Sequence, residues 1–158
     1  ADKFIIGYRF SPEEPGENGL TMIETFALID ELIKKPLQYL HVSLLDFYIN
    51  AYRGGDSEKP AIKLIHDRIN GKLPLIGVGN LYTADQINKA LNTGWAEFTA
   101  LGKTAIINPN IGTLIRENRE NEIETELDLG RKDKYDLGEF LWERAKEESP
   151  LLPPLKKK

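Results

Sequence analysis

Short apolar runs alternate with amphipathic stretches along the first two-thirds of this chain. Residues 3–10 (KFIIGYRF) are rich in β-branched and aromatic side chains and predict a strand. Ser11-Pro12 ends it, because proline cannot continue a central ladder. A polar loop through Pro15, Gly16, Asn18 and Gly19 leads to Thr21 and Glu24, a capping box. The helix that follows has Ile23, Phe26, Ala27, Leu28 and Ile29 on or near one face, and Pro36 stops it. Residues 37–43 predict a second strand. A loop through Tyr52, Gly54 and Gly55 then reaches a helix starting near Pro60 and closed by Gly71. The third unit has a strand over 73–79, a Thr83/Gln86 capping box, a helix carrying Ile87, Ala90 and Leu91, and Gly94 at its end. The fourth has a strand over 96–101 and a helix after Pro109, around Ile111 to Glu117.

Strands that alternate with helices imply a parallel sheet with right-handed crossovers. Continuous apolar runs fit strands covered on both faces. A closed barrel of this kind needs eight strands and about 250 residues. A nucleotide-binding open sheet would show a G-x-G-x-x-G fingerprint after its first strand, and none occurs. The expected fold is therefore α/β, the C-terminal half of a (β/α)8 barrel spanning residues 1–117. Residues 118–158 read as a charged linker, a terminal helix opened by an Asp136/Glu139 capping box, and a loose tail ending in Lys156-Lys157-Lys158. Such a half exposes its inner face and two edge strands. It should pair with the missing N-terminal half or with a second copy of itself, as a homo-oligomer. The one methionine is Met22 and strand-like sequence begins at Phe4, so the chain reads as cut from a longer protein.

Composition narrows the function. The net charge of −4 predicts no broad cationic face for nucleic acid or anionic membranes. No apolar run approaches the roughly 20 residues needed to span a bilayer, and cytoplasm is the default location. With no cysteine, the chain offers no disulfide, thiolate metal site, iron–sulfur cluster or cysteine nucleophile.

Chemistry gathers at the strand ends. Arg9 interrupts an apolar run, which would suit either a structural ion pair or a site cation. Gly79-Asn80 ends the third strand and Gly102-Lys103 the fourth. In barrels the loops after the last two strands commonly bind phosphate, with glycine permitting close backbone approach and a cation neutralising charge. His41 falls late in the second strand, and reads as structural ahead of functional. His66 reads as a surface or packing residue, and Trp95 and Trp142 as packing anchors. Asp46 and the loop from Tyr48 to Gly55 could rim a substrate site.

Gly7-Tyr8-Arg9-Phe10-Ser11-Pro12, Leu75-Ile76-Gly77-Val78-Gly79-Asn80, and Leu101-Gly102-Lys103 through Asn108-Pro109 resemble the second half of the Old Yellow Enzyme, or NADH:flavin oxidoreductase, family. The resemblance covers residues 3–117. It implies FMN, with NAD(P)H as reductant and hydride passed to an activated alkene or similar small molecule. It places Arg9 near flavin N1 and O2, Gly79 and Asn80 along the ribityl phosphate, and Gly102 and Lys103 on the phosphate. Lys103 stands where the family usually has arginine. The substrate-binding pair and the proton-donating tyrosine belong to the missing half, so no catalytic residue is assigned and the fragment is expected to be inactive by itself. Two rivals remain: a phosphate-binding barrel enzyme without flavin, and a non-enzymatic half-barrel assembly module.

Overall fold

The computed structural model describes residues 4–135 and 137–157. Four strands, β1 (Gly7–Phe10), β2 (Tyr39–Val42), β3 (Leu75–Val78) and β4 (Phe98–Ala100), form one sheet in sequence order. All pairings are parallel. Helices α1 (Met22–Leu32), α2 (Ala61–Ile69) and α3 (Ala84–Asn92) supply the crossovers. Further helices α4 (Lys103–Ile107), α5 (Ile111–Arg116) and α6 (Glu139–Lys146) follow β4. The described residues divide into two compact units. One comprises residues up to Asn80 with Asn88–Ala100, and the other Leu81–Ile87 with residues from Leu101 onward.

In the first unit, the two sides of the sheet differ. Leu40, Val42 and Leu75 are fully buried on one side, where Gly77 also faces Ile62 of α2 and Phe47. The other side carries Arg9, Tyr39, His41, Ile76 and Phe98, all partly or largely exposed. Parallel strands in closed barrels are covered on both faces, so this is the inner face of an unclosed barrel. Every strand is shorter than its apolar run. Phe4 and Ile5, expected in β1, precede it and are 78% and 81% exposed. The pairing with β2 begins only at Gly7, and on its other edge β1 has no neighbour to extend the ladder.

Two glycines are fixed by close packing. A Cβ on Gly7 would lie 2.2 Å from the Tyr39 ring, its register partner. A Cβ on Gly77 would lie 2.6 Å from the Phe47 ring.

The capping boxes at Thr21/Glu24 and Thr83/Gln86 form as expected. Asn70 and Gly71 both adopt positive φ at the end of α2. Helix α1 buries Met22, Thr25, Ile29 and Leu32, a spacing that leaves Ile23 turned away and 63% exposed. Ile23 was expected on the buried face. It sits one residue, about 100°, off the stripe.

The second unit differs more from expectation. A short helix, α4, starts directly after Gly102, before the anticipated α5. Asn108 joins it to the following segment, donating from Nδ2 to the Glu124 carbonyl at 2.7 Å and accepting from the Glu124 amide at 2.9 Å. Residues 152–156 are held rather than loose. The Leu127 amide donates to the Pro154 carbonyl at 2.8 Å, and the Lys156 amide to the Leu127 carbonyl at 2.9 Å. Helix α6 opens at Gly138 without a side-chain cap, and Asp136, expected to cap it, lies outside the described residues, as does Lys158.

Candidate functional site

The C-terminal ends of β1 and β2 set two groups side by side. Arg9 and His41 are register partners on the inner face. Arg9, although it interrupts an apolar run, is exposed. Its Nη2 donates to Ser43 Oγ at 2.7 Å, and among the described residues it makes no ion pair. The structural ion-pair reading of Arg9 therefore has no carboxylate here. A neutral hydroxyl anchors the guanidinium and leaves its charge uncompensated, which suits an anionic or electron-rich ligand.

His41 is half-buried, and its Nε2 is buried with no hydrogen-bond partner. Burial, then the neighbouring Arg9 cation, push its pKa below the ordinary 6.5. On its β3 side it pairs with Ile76, which offers no compensating charge. The folded protein thus favours neutral His41. As pH falls below about 6.5, the unfolded chain takes up this proton first and stability declines, levelling off below the folded pKa. A ring-proton NMR titration should give His41 a midpoint below 6.5 in wild type and a higher one in Arg9→Gln. An unchanged midpoint in the variant would remove Arg9 as a cause.

Beyond these strand ends, the β1–α1 and β2–α2 loops enclose a cleft of about 430 Å³. Pro12, Leu45, Ile49 and Tyr52 give it a mainly apolar lining, with Glu13, Glu14, Ser43 and Asn50 as its main polar groups. Tyr52 is 80% exposed. The expected rim from Tyr48 to Gly55 does contribute here, whereas Asp46 is spent locally, its Oδ1 accepting from the Tyr48 amide at 2.8 Å. The sequence reading missed Ser43 and Arg53. Ser43 could have been found by its place one residue beyond β2, level with the end of an arginine-bearing strand. Nothing in a loop composition separates Arg53 from a solvated arginine.

Gly79 closes β3 with φ +143°, and a Cβ there would lie 2.5 Å from Asp46 C and Phe47 N. The β2–α2 loop backbone itself fills the space that a glycine leaves, and Phe47 N donates to Gly79 O at 3.1 Å. Asn80 follows in the left-handed region at φ 47° and is exposed. In the second unit, Gly102 is exposed and precedes α4, with nothing within 4 Å of where a Cβ would stand. Lys103 is the first residue of α4. Thr104 Oγ1 fixes this turn by donating to the Leu81 carbonyl at 2.5 Å. Of the two glycines, Gly102 and not Gly79 thus faces open space.

Trp142 is buried and Trp95 is partly buried, edge-on to Tyr48 with ring centres 6.2 Å apart. His66 lies on α2, with Nε2 3.6 Å from a Glu97 carboxylate oxygen. Among the described residues, no cluster of three His, Asp or Glu is placed to hold a metal, and no helix is long and apolar enough to cross a membrane.

Residues 1–122 match the NADH:flavin oxidoreductase / NADH oxidase family. The chain belongs to that family, whose cofactor is FMN and whose reductant is NADH. It is 41% identical over 140 residues to a Bacillus subtilis protein named "Probable NADH-dependent flavin oxidoreductase YqiG". That match covers 89% of the chain and 37% of the relative. It is 29% identical to NADH:acrylate oxidoreductase of Vibrio harveyi, over 89% of the chain and 14% of the relative. It is 27% identical to NADH:fumarate oxidoreductase of Klebsiella pneumoniae, covering 89% and 15%. The chain therefore spans well under half the length of these relatives. Among solved structures, its fold is similar to 6-hydroxypseudooxynicotine amine oxidase from Pseudomonas geniculata, with TM-score 0.58, 19% identity, and 77% of this chain against 19% of that one. Histamine dehydrogenase from Rhizobium sp. 4-9 gives TM-score 0.55 and 20% identity, covering 77% and 18%. The four units are part of a (β/α)8 barrel.

Proposed function

We propose that this chain is the flavin-binding C-terminal half-barrel of an FMN-dependent NAD(P)H oxidoreductase of the ene-reductase, Old Yellow Enzyme type. The observation that carries the reading is the exposed, uncompensated Arg9 guanidinium, anchored by neutral Ser43 at the C-terminal end of a barrel strand. Barrel enzymes place their sites at that end. FMN, when bound, supplies a two-electron relay from the nicotinamide to a polarised carbon–carbon double bond. Arg9 would stabilise negative charge on the pyrimidine side of the reduced ring. Neutral His41 beside it keeps a second cation from competing for the same place. Gly79 and Asn80 would lie along the ribityl phosphate, and Gly102 and Lys103 would hold the phosphate itself. Open space at Gly102 favours its part of this assignment, while the packed backbone at Gly79 gives that glycine a structural reason of its own. The relatives named for acrylate and fumarate favour an activated alkene as the acceptor's reacting group. The remaining flavin contacts, the substrate pair and the proton donor would come from the other half-barrel, and this chain by itself is expected to be inactive.

The test is FMN uptake by the full-length protein carrying this chain, read by visible absorption and fluorescence titration. Wild type should be yellow. Replacing Arg9 with Gln removes a charge-assisted hydrogen bond of about 1.5–3 kcal/mol, weakening FMN binding by about tenfold or more. Lys103→Ala should weaken FMN more than it weakens riboflavin, which has no phosphate. A full-length protein that takes up no flavin would sink the proposal.

A further inference from the structure

The two loops that wall the 430 Å³ cleft are tied together by a pair of residues that the flavin reading leaves unused. Glu13, in the β1–α1 loop, accepts through its carboxylate from the Tyr52 amide at 2.9 Å and the Arg53 amide at 2.6 Å. Arg53, in the β2–α2 loop, returns the tie. Its Nη1 donates to the Gly16 carbonyl at 2.8 Å, and its Nη2 to the Glu14 and Gly19 carbonyls at 2.7 and 3.1 Å. The Arg53 carbonyl accepts from the Met22 amide, at the first residue of α1, at 2.9 Å. A Cβ on Gly54 would lie 2.9 Å from Thr21 Oγ1, so the loops approach to contact at the helix cap.

These bonds run from side chain to backbone in both directions, and they span about forty residues of sequence. A loop held this way is a wall and not a lid, because each charge-assisted bond opposes opening. What the wall presents is mainly apolar, with Glu13 and Glu14 at the side of the β1–α1 loop. Pro12, Leu45 and Ile49 line the cleft, and Tyr52, whose amide Glu13 fixes, offers an exposed ring. Ser43 Oγ, anchored to Arg9, is a polar point of the same lining. A flat ring carried on a fixed backbone at the edge of a mainly apolar cleft suits a planar, unsaturated apolar group.

We infer that Glu13 and Arg53 are positioning residues that hold the two loops as the fixed wall of a cleft for the apolar, aromatic portion of the acceptor, with Tyr52 as the face it lies on. The inference rests on the oxidoreductase reading for the identity of the ligand, and not for the wall. Preorganisation lowers the ordering cost of binding, so loosening the wall raises KM and leaves the chemical step alone.

The experiment uses the full-length protein and trans-cinnamaldehyde as the aromatic acceptor. In Glu13→Ala and Arg53→Lys, hydrogen exchange at the Tyr52 and Arg53 amides should quicken about tenfold, FMN occupancy should hold, and the aldehyde KM should rise about tenfold with kcat within about twofold. Lysine cannot reach three carbonyls with one ammonium, whereas Glu13→Gln keeps an acceptor oxygen and should recover most of the affinity. Tyr52→Ala, at an exposed position whose ring lies 5.9 Å from the Arg53 guanidinium carbon, should raise KM while the Glu13 bonds to the two amides keep exchange there within about twofold of wild type. An unchanged aldehyde KM in Glu13→Ala, Arg53→Lys and Tyr52→Ala overturns the inference while the oxidoreductase reading stands. If wild type binds no flavin, that reading falls and exchange decides the wall: protection of residues 52 and 53 gained on adding the aldehyde supports it, and no gain overturns it.

Discussion

Gly79→Ala should lower the stability of this chain by about 3–5 kcal/mol, enough to shift its thermal midpoint by roughly 10 °C. Two costs add at this position. The backbone has φ +143°, where a Cβ is strained wherever space allows, at about 1–3 kcal/mol. Space is also lacking, since the new carbon would lie 2.5 Å from Asp46 C and Phe47 N. Those are backbone atoms, so relief requires the β2–α2 loop to move, and the Phe47 amide would lose its bond to the Gly79 carbonyl. Phe47 is fully buried and its ring fills the place over Gly77, so the displacement reaches the core. Circular dichroism melts of wild type and Gly79→Ala measure the loss. Gly102→Ala is the control. That site is open, with φ −97°, and the variant should melt within about 1 °C of wild type while still weakening FMN if the backbone approaches the phosphate there. A Gly79→Ala protein that melts normally and merely binds FMN poorly would show the glycine to be there for the ligand and not for the fold.

The contrast between these two glycines marks what a sequence can tell. Both follow an apolar strand and precede a helix, and both look alike as strand-to-helix turns. One is held by its own neighbours and the other faces open space, a difference made by Asp46 and Phe47, some thirty residues away. The strand–helix alternation was legible because each element carries local signals: Thr21/Glu24, Thr83/Gln86, Gly71 and the apolar runs. Strand ends were less so. Phe4 and Ile5 have strong strand propensity, but a strand also needs a neighbour, and β1 has one only from Gly7 onward. The site followed the same division. Arg9 stood out as a cation in an apolar run, while its partner Ser43 and the Glu13–Arg53 tie arise from loops brought together over long sequence distances. Apolar neighbours normally signal burial, yet Arg9 is exposed. Its side belongs to a barrel interior that this half-barrel leaves uncovered.

Trp142→Ala should cost about 3–5 kcal/mol, the usual range for deleting a buried tryptophan. Residues after 117 look like a charged appendage, and in sequence the twelve residues from Arg116 to Leu127 include seven charged ones. Yet Trp142 is 4% exposed and packs with Ile107, Leu127, Tyr135, Ala145 and Leu152 in one apolar cluster. The Tyr135 and Trp142 rings are stacked, with centres 6.4 Å apart. Around them, Tyr135 Oη donates to Glu124 at 3.1 Å and accepts from the Asp128 amide at 3.2 Å. Lys134 and Arg131 also pair with Glu124, and these contacts hold its carboxyl below the ordinary range. Ile107 belongs to α4, whose first residue is Lys103. Losing the cluster therefore loosens the helix that presents the proposed phosphate residues, and Trp142→Ala should weaken FMN binding without touching it. Trp142→Phe, which keeps an aromatic ring in the cluster, should recover most of both properties. Limited proteolysis gives an independent reading: cleavage between residues 118 and 135 should accelerate in Trp142→Ala and stay slow in wild type. Rapid cleavage of the wild-type segment would mean that the terminal residues are an appendage after all, and that α4 stands without them.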